Sequence, residues 1–206
     1  MSGFTFRIES VEVLGPLLAA FIVLLAVRAT RQHPGWHGRP ALTRLVAALY
    51  ATGFLHFALF PIIVDRAQNS SPWTGQVQPI PFLGLLGMDV SFPLNVLLFL
   101  PFGVLLPLMT RRELGPGRAA LRALTVSAAI ELTQLGMYIL FRNGRGADID
   151  DIVTNTLGAA LGCLLLHLAL RSTTFSALTR TFALPGTAFS HPTAETQPAP
   201  EMRRTR

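Results

Sequence analysis

The sequence predicts an all-α polytopic membrane helix bundle of about five transmembrane helices, N-terminus outside and C-terminus inside. Three observations carry that expectation. The chain is 50% hydrophobic and only 14% charged, against about 25% charged residues in soluble domains, and its mean hydropathy is +0.47. Five apolar runs stand out, and most are long enough to need lipid. The charges between the runs segregate by sign, basic on one side and acidic on the other.

The runs can be taken in order. Residues 13–27 form a short run bracketed by Glu12 and Arg28, which crosses only if those two side chains snorkel to the interfaces. Glu9 and Glu12 spoil the basic start of a signal peptide, and no small-x-small cleavage site precedes Arg28, so the run reads as a retained span. Residues 45–64 and 90–109 contain no Asp, Glu, Lys or Arg, and each matches the roughly 20 residues a helix needs to cross a bilayer. Residues 123–141 are interrupted only by Glu131, and residues 152–170 carry His167 near their end.

The connections divide the chain into three parts. Residues 1–44 hold the first span and an Arg-rich cytoplasmic loop, and residues 45–171 form a membrane domain. Residues 172–206, rich in Thr, Pro and Ala, are too poor in large apolar groups to build a core and read as a disordered cytoplasmic tail. The connection over residues 65–89 includes Trp73 and "PIPFLGLLG" at residues 79–87. It is apolar enough to lie in the headgroup region or re-enter the membrane, with Trp73 as an interface anchor.

Arg28, Arg31, Arg39 and Arg44 crowd the first connection; Arg111, Arg112, Arg118 and Arg122 crowd the third. Arg171, Arg180, Arg203, Arg204 and Arg206 follow the last span. With five spans, these thirteen of the 17 basic residues fall on one side, which the positive-inside rule assigns to the cytoplasm. Asp65, Asp89, Asp148, Asp150 and Asp151 fall on the other. The expected location is a bacterial plasma membrane.

The net charge of +6 does not point to nucleic acid, because the arginines sit between apolar runs and form no single stripe. Cys163 is the only cysteine, which excludes an intramolecular disulfide; inside an apolar run it is a small packing residue. His33 and His37 have i, i+4 spacing, but Pro34 and Gly35 break the helix that would align them.

The chemistry-bearing stretch is "GRGADIDDIVTNTLGAALG", residues 144–162. On a helical wheel at about 100° per residue, Asp148, Asp151, Asn155, Gly158 and Gly162 share one stripe, whereas Asp150 points about 100° away from Asp151. Gly158 and Gly162 make a G-x-x-x-G that admits a close neighbour helix. Asp150 therefore reads as an acid favoured only by the helix dipole. In residues 123–141, Ser127, Glu131, Gln134 and Tyr138 share a face. An isolated carboxylate in a span costs about 3 kcal/mol, so Glu131 must face protein or water, with Arg142 and Arg145 as the nearest basic candidates. Asn95 opens the third span, and Pro101 with Gly103 should kink it.

Asn95, Glu131, Gln134, Arg145, Asp148, Asp151 and Asn155 thus converge in the outer half of three consecutive helices, as one ligand-binding cluster. The plainer reading for Asn95, Gln134 and Asn155 is interhelical hydrogen-bond glue, worth about 1 kcal/mol each. Glu131, Asp148, Asp151 and Asn155 match Mg²⁺ or Ca²⁺ in ligand type, but with no His and few acids neither a metal nor a cofactor is expected.

The runs "NVLLFLPFG", "IELTQ" and "GRGADIDDIVTNTLGAALG" resemble the VanZ-like membrane proteins, a family named after an accessory protein of glycopeptide (teicoplanin) resistance clusters. The resemblance covers roughly residues 45–170. It implies a cell-envelope role and marks Asn95, Pro101, Gly103, Glu131, Gln134, Arg145, Asp148, Asp151, Asn155 and Gly158 as the positions that matter. It implies no particular reaction.

The expected function is an outward polar pocket that binds a lipid headgroup, a lipid-linked wall precursor or an amphiphilic antibiotic at the bilayer surface. An alternative is an enzyme in which Glu131 and Asp151 act as acid and base on a membrane-embedded substrate. A third reading, a small transporter, is disfavoured because polar residues thin out beyond Glu131. Membrane lipids are the expected partners.

Overall fold

The computed structural model describes residues 5–65, 71–87 and 89–190. In chain order the elements are β1 (Thr5–Ile8), α1 (Ser10–Thr30), α2 (Gly38–Leu59), β2 (Ile62–Asp65), a 3-10 turn (Trp73–Gln76), β3 (Val77–Gln78), α3 (Leu83–Leu86), α4 (Ser91–Met109), α5 (Pro116–Phe141), β4 (Ala147–Asp148), α6 (Ile149–Ala169) and α7 (Thr173–Phe182). Five of them, α1, α2, α4, α5 and α6, are long and apolar enough to cross a membrane. The fold is all-α, with two small two-stranded sheets at one end.

Local chemistry sets the helix limits. Glu9 and Glu12 close a capping box at the start of α1, satisfying backbone donors that have no partner inside the helix. Pro116 opens α5, where its missing N–H costs nothing. Arg142 ends it in the left-handed conformation at φ 60°. The side chain of Asp148 caps α6 by accepting the Asp150 N–H at 2.8 Å.

The second apolar run was expected to continue through residue 64, but α2 stops at Leu59. Pro61 has no N–H to donate, and the residue before it is held extended, Phe60 lying at φ −111°, ψ 157°. The apolar residues beyond it become β2, antiparallel to β1 with Ile62 opposite Ile8 and Val64 opposite Phe6. The helix begins earlier instead, at Gly38, so Arg39 and Arg44 lie in its first two turns.

The packed unit is α4, α5 and α6. Phe99, Ala123 and Ala159 form one buried cluster, joined by half-buried Phe54, Phe102 and Ile130, and Leu114, Ala119 and Cys163 form another. The helices α4 and α6 run parallel at backbone contact. A methyl on Gly158 would overlap the Val96 carbonyl, one on Gly162 the Leu100 carbonyl, and one on Gly103 the Ala159 carbonyl. Side chains this small let the two backbones touch. By contrast α1 buries only Leu14 and leaves Val11, Leu17 and Val23 exposed.

The expected disordered tail differs in its described part. Residues 173–182 form α7, and the chain after it folds back on the bundle. The Leu184 N–H donates to the Leu108 carbonyl at 3.0 Å, and the Ala188 N–H to that of Thr110 at 3.3 Å. The Thr43 hydroxyl donates to the Phe182 carbonyl at 2.7 Å. Carbonyls at the end of α4 have no partner within the helix, and this segment supplies main-chain donors for them. Residues 191–206, including Arg203, Arg204 and Arg206, lie outside the described residues.

Candidate functional site

The polar faces of α5 and α6 meet at the end of the bundle that carries β4. Ser127, Glu131, Gln134 and Tyr138 are all buried along α5. On α6 the buried face includes Asn155, Gly158 and Gly162. Asn155 Nδ2 donates to Ser127 Oγ at 2.8 Å, joining the two stripes.

Glu131, Asp151 and Gln134 are each anchored by one side-chain atom, and Arg145 by two. Glu131 Oε2 accepts the Asp148 N–H at 2.9 Å. Asp151 Oδ1 accepts from Asn95 Nδ2 at 2.6 Å. Gln134 Nε2 donates to the Ala58 carbonyl at 2.8 Å. Arg145 donates to the carbonyls of Phe57 at 3.1 Å, Ala58 at 3.3 Å and Phe60 at 2.9 Å.

Asn95, Glu131, Gln134, Arg145, Asp151 and Asn155 surround one cavity of about 110 Å³, whose wall is completed by apolar Phe54, Phe57, Leu98 and Ile130. Of the seven residues expected to cluster, only Asp148 stands outside this lining. Its N–H holds Glu131, its carboxylate caps α6, and Gln78 Nε2 donates to its Oδ1 at 3.2 Å. Burial holds the Asp148 carboxyl above the usual carboxylate range. The Asp150 N–H works against that rise, the negative charges of Asp150 and Asp89 add to it, and the Gln78 amide opposes it.

Two expectations are corrected. Neither Arg142 nor Arg145 pairs with Glu131. The Arg145 guanidinium caps the end of α2, where unpaired carbonyls and the negative dipole end attract a planar cation. Arg142 donates to the Ser71 carbonyl at 2.8 Å and lies 5.4 Å over the Tyr138 ring.

Asp150 is more than a dipole-favoured acid. It is buried, and its carboxylate accepts the N–H groups of Phe82 and Gly84. Those contacts, with the parallel pairing of Val77 to Ala147 and Gln78 to Asp148, tie the apolar 79–87 segment across the start of α6. The segment leaves Ile80, Phe82, Leu83 and Leu86 exposed.

Sequence reasoning missed the contribution of α2, whose Phe54, Phe57 and Ala58 line the cavity; they differ in no way from the lipid-facing residues beside them. It also missed Gln78, whose only signal was a polar side chain next to the apolar 79–87 run.

The atoms left over define the chemistry. Glu131 Oε1, Asp151 Oδ2, Asn95 Oδ1, Gln134 Oε1 and Asn155 Oδ1 accept no hydrogen bond from the described residues. All five are acceptor oxygens; the donors beside them are the Arg145 guanidinium and the second N–H of each of the three amides. An occupant must bring donors: an amine or several hydroxyls. Among the described residues no group of three or more His, Cys, Asp or Glu is placed to hold a metal.

A family model, VanZ/LLP1, matches residues 17–170. The match reaches further toward the N-terminus than the motifs do and takes in most of α1. No curated protein and no solved structure matches the chain.

Proposed function

The chain belongs to the VanZ/LLP1 family and is a multi-pass membrane protein of that type, and on that premise we propose that its cavity binds the donor-bearing polar head of an amphiphile. The head comes from a membrane lipid, a lipid-linked wall precursor or a glycopeptide antibiotic. The cavity opens outward from a bacterial plasma membrane, since the arginine-rich connections lie at the opposite end of the helices. The single observation carrying the proposal is the ring of five unpaired acceptor oxygens around one cavity.

Native mass spectrometry of protein extracted in its own lipids tests this. A retained amphiphile should be lost from Asp151→Asn and kept by Leu165→Ala, whose side chain is exposed near the opposite end of α6 and does not line the cavity. Equal retention in both variants would overturn the proposal.

A second reading rests on Glu131 and Asp151 sharing the cavity: an acid and base acting on an amphiphile held there. It requires activity to disappear in Glu131→Gln while binding persists. Transport is disfavoured, because Phe99, Ala123 and Ala159 close the core beyond the cavity.

A further inference from the structure

We propose that the groove between α2, α4 and α5 holds the apolar chain of the same amphiphile whose head occupies the cavity. This rests on the reading above and adds a second, chemically distinct subsite to it. The groove encloses about 380 Å³, and Phe54 and Ile130 line both it and the polar cavity. One layer of side chain therefore separates head from chain.

The groove wall is apolar in fact as well as in composition. Its two hydroxyls are turned onto backbone: Tyr50 donates to the Leu98 carbonyl at 2.8 Å and Thr133 to that of Ala129 at 2.7 Å. The space exists because α2 stands off the bundle. Its buried residues, Ala41 and Thr43, lie in its first two turns, while Ala51, Phe54 and Leu55 further along face the gap. Across it, Ala129 is small and exposed. From Tyr50 to Leu59 the groove follows the helix for about 13 Å, room for a chain of roughly ten carbons.

A chain moving from bulk lipid into this groove gains no hydrophobic free energy, because lipid tails are as apolar as the wall. The groove selects by shape and position, and the cavity selects by hydrogen bonding. An ordinary annular lipid meets only the first condition. An amphiphile that meets both has its head drawn between the helices, entering sideways past α2.

The test uses vesicles of phosphatidylcholine carrying a small fraction of a lipid with a mid-chain diazirine. Three probes share the same chain: phosphatidylethanolamine, a glycosyl diacylglycerol, and a phosphatidylcholine without N–H or O–H donors. After irradiation, crosslinks are mapped by peptide mass spectrometry. At least one donor-bearing probe should label Ala51, Leu55, Val126 and Ala129 about tenfold above the exposed face of α1. Whichever of the two does so identifies the headgroup, amine or sugar. The choline probe should label both faces alike.

Ala129→Trp, which fills the groove from its lipid side, and Asp151→Asn, which removes a head acceptor, should each abolish the enrichment. Leu165→Ala should not. Labelling by the donor probes that is uniform, or indifferent to Ala129→Trp, overturns the groove. If native mass spectrometry still finds an Asp151-dependent amphiphile, the head site stands without the groove; if it finds none, both fall.

Discussion

Asp150 Oδ2 accepts the Gly84 N–H at 2.8 Å, so an acid at the start of one spanning helix holds a segment 66 residues earlier in the chain. Its neighbour Asp151 has the same charge and a different task, accepting from Asn95 beside the cavity. Two adjacent carboxylates are therefore separable by experiment, one by its effect on the 79–87 segment and the other by its effect on binding.

Asp150→Asn should loosen that segment. The two Asp150 oxygens accept two main-chain N–H groups, and an amide offers one oxygen and turns its NH₂ against the second donor. A buried donor left unsatisfied costs about 1–3 kcal/mol. Hydrogen exchange at Phe82 and Gly84 should accelerate and the Tm in detergent should fall, while Asp151→Asn leaves both amides protected. Unchanged exchange in Asp150→Asn would show that the carboxylate does not hold the segment.

The seam between α4 and α6 predicts an unusual sensitivity to single methyl groups. Gly103→Ala, Gly158→Ala and Gly162→Ala should each lower the Tm, because the added carbon meets main-chain atoms of the facing helix and the helices must part. Gly136→Ala is the control: nothing lies within 4 Å of a methyl there, and alanine is favoured over glycine in a helix by about 1 kcal/mol. Leu164→Ala and Leu165→Ala, at side chains 42% and 55% exposed, should change the Tm little. A ranking in which Gly136→Ala matched the three seam variants would argue against the contact.

The placement of the arginines predicts the membrane orientation. A reporter inserted after residue 115 or after residue 190 should be cytoplasmic, and one placed within residues 66–80 external. An external signal from the 115 fusion would place the cavity on the cytoplasmic face and exclude an extracellular antibiotic as its ligand.

The polar stripes on α5 and α6 were legible in the sequence for a physical reason. In an apolar helix every polar side chain is costly, so Ser127, Glu131, Gln134 and Asn155 have to face protein, and helical periodicity then fixes which face. The role of Asp150 was not legible, because its partners are main-chain N–H groups of Phe82 and Gly84, and nearly every residue type supplies one. The same holds for residues 183–190, which look like linker by composition and are joined to Leu108 and Thr110 by main-chain hydrogen bonds. Arg145 was readable as a cation near the cluster, but charge favoured Glu131 as its partner, whereas three main-chain carbonyls at the end of α2 took it. Pro61 marked the end of α2 in the sequence, and the hydropathy of the following residues masked it.

Glu131→Gln and Asp151→Asn should leave the fold intact and abolish binding, and the reason is atomic. In each carboxylate one oxygen already accepts a hydrogen bond, Glu131 Oε2 from the Asp148 N–H and Asp151 Oδ1 from the Asn95 amide. An amide keeps that bond through its own oxygen, so the corner between α5 and the start of α6 and the bridge from α4 to α6 persist. The second oxygen, which accepts nothing from the described residues, becomes an NH₂ group. An occupant's donor then meets a donor, and leaving a polar group unpaired in such a site costs about 1–3 kcal/mol, or roughly five- to a hundred-fold in affinity. Glu131→Ala differs in kind: it strands the buried Asp148 N–H and should lower the Tm as well. Binding that survives both amide swaps at normal membrane abundance would mean that the free oxygens do not meet the ligand, and the cavity would lose its proposed role.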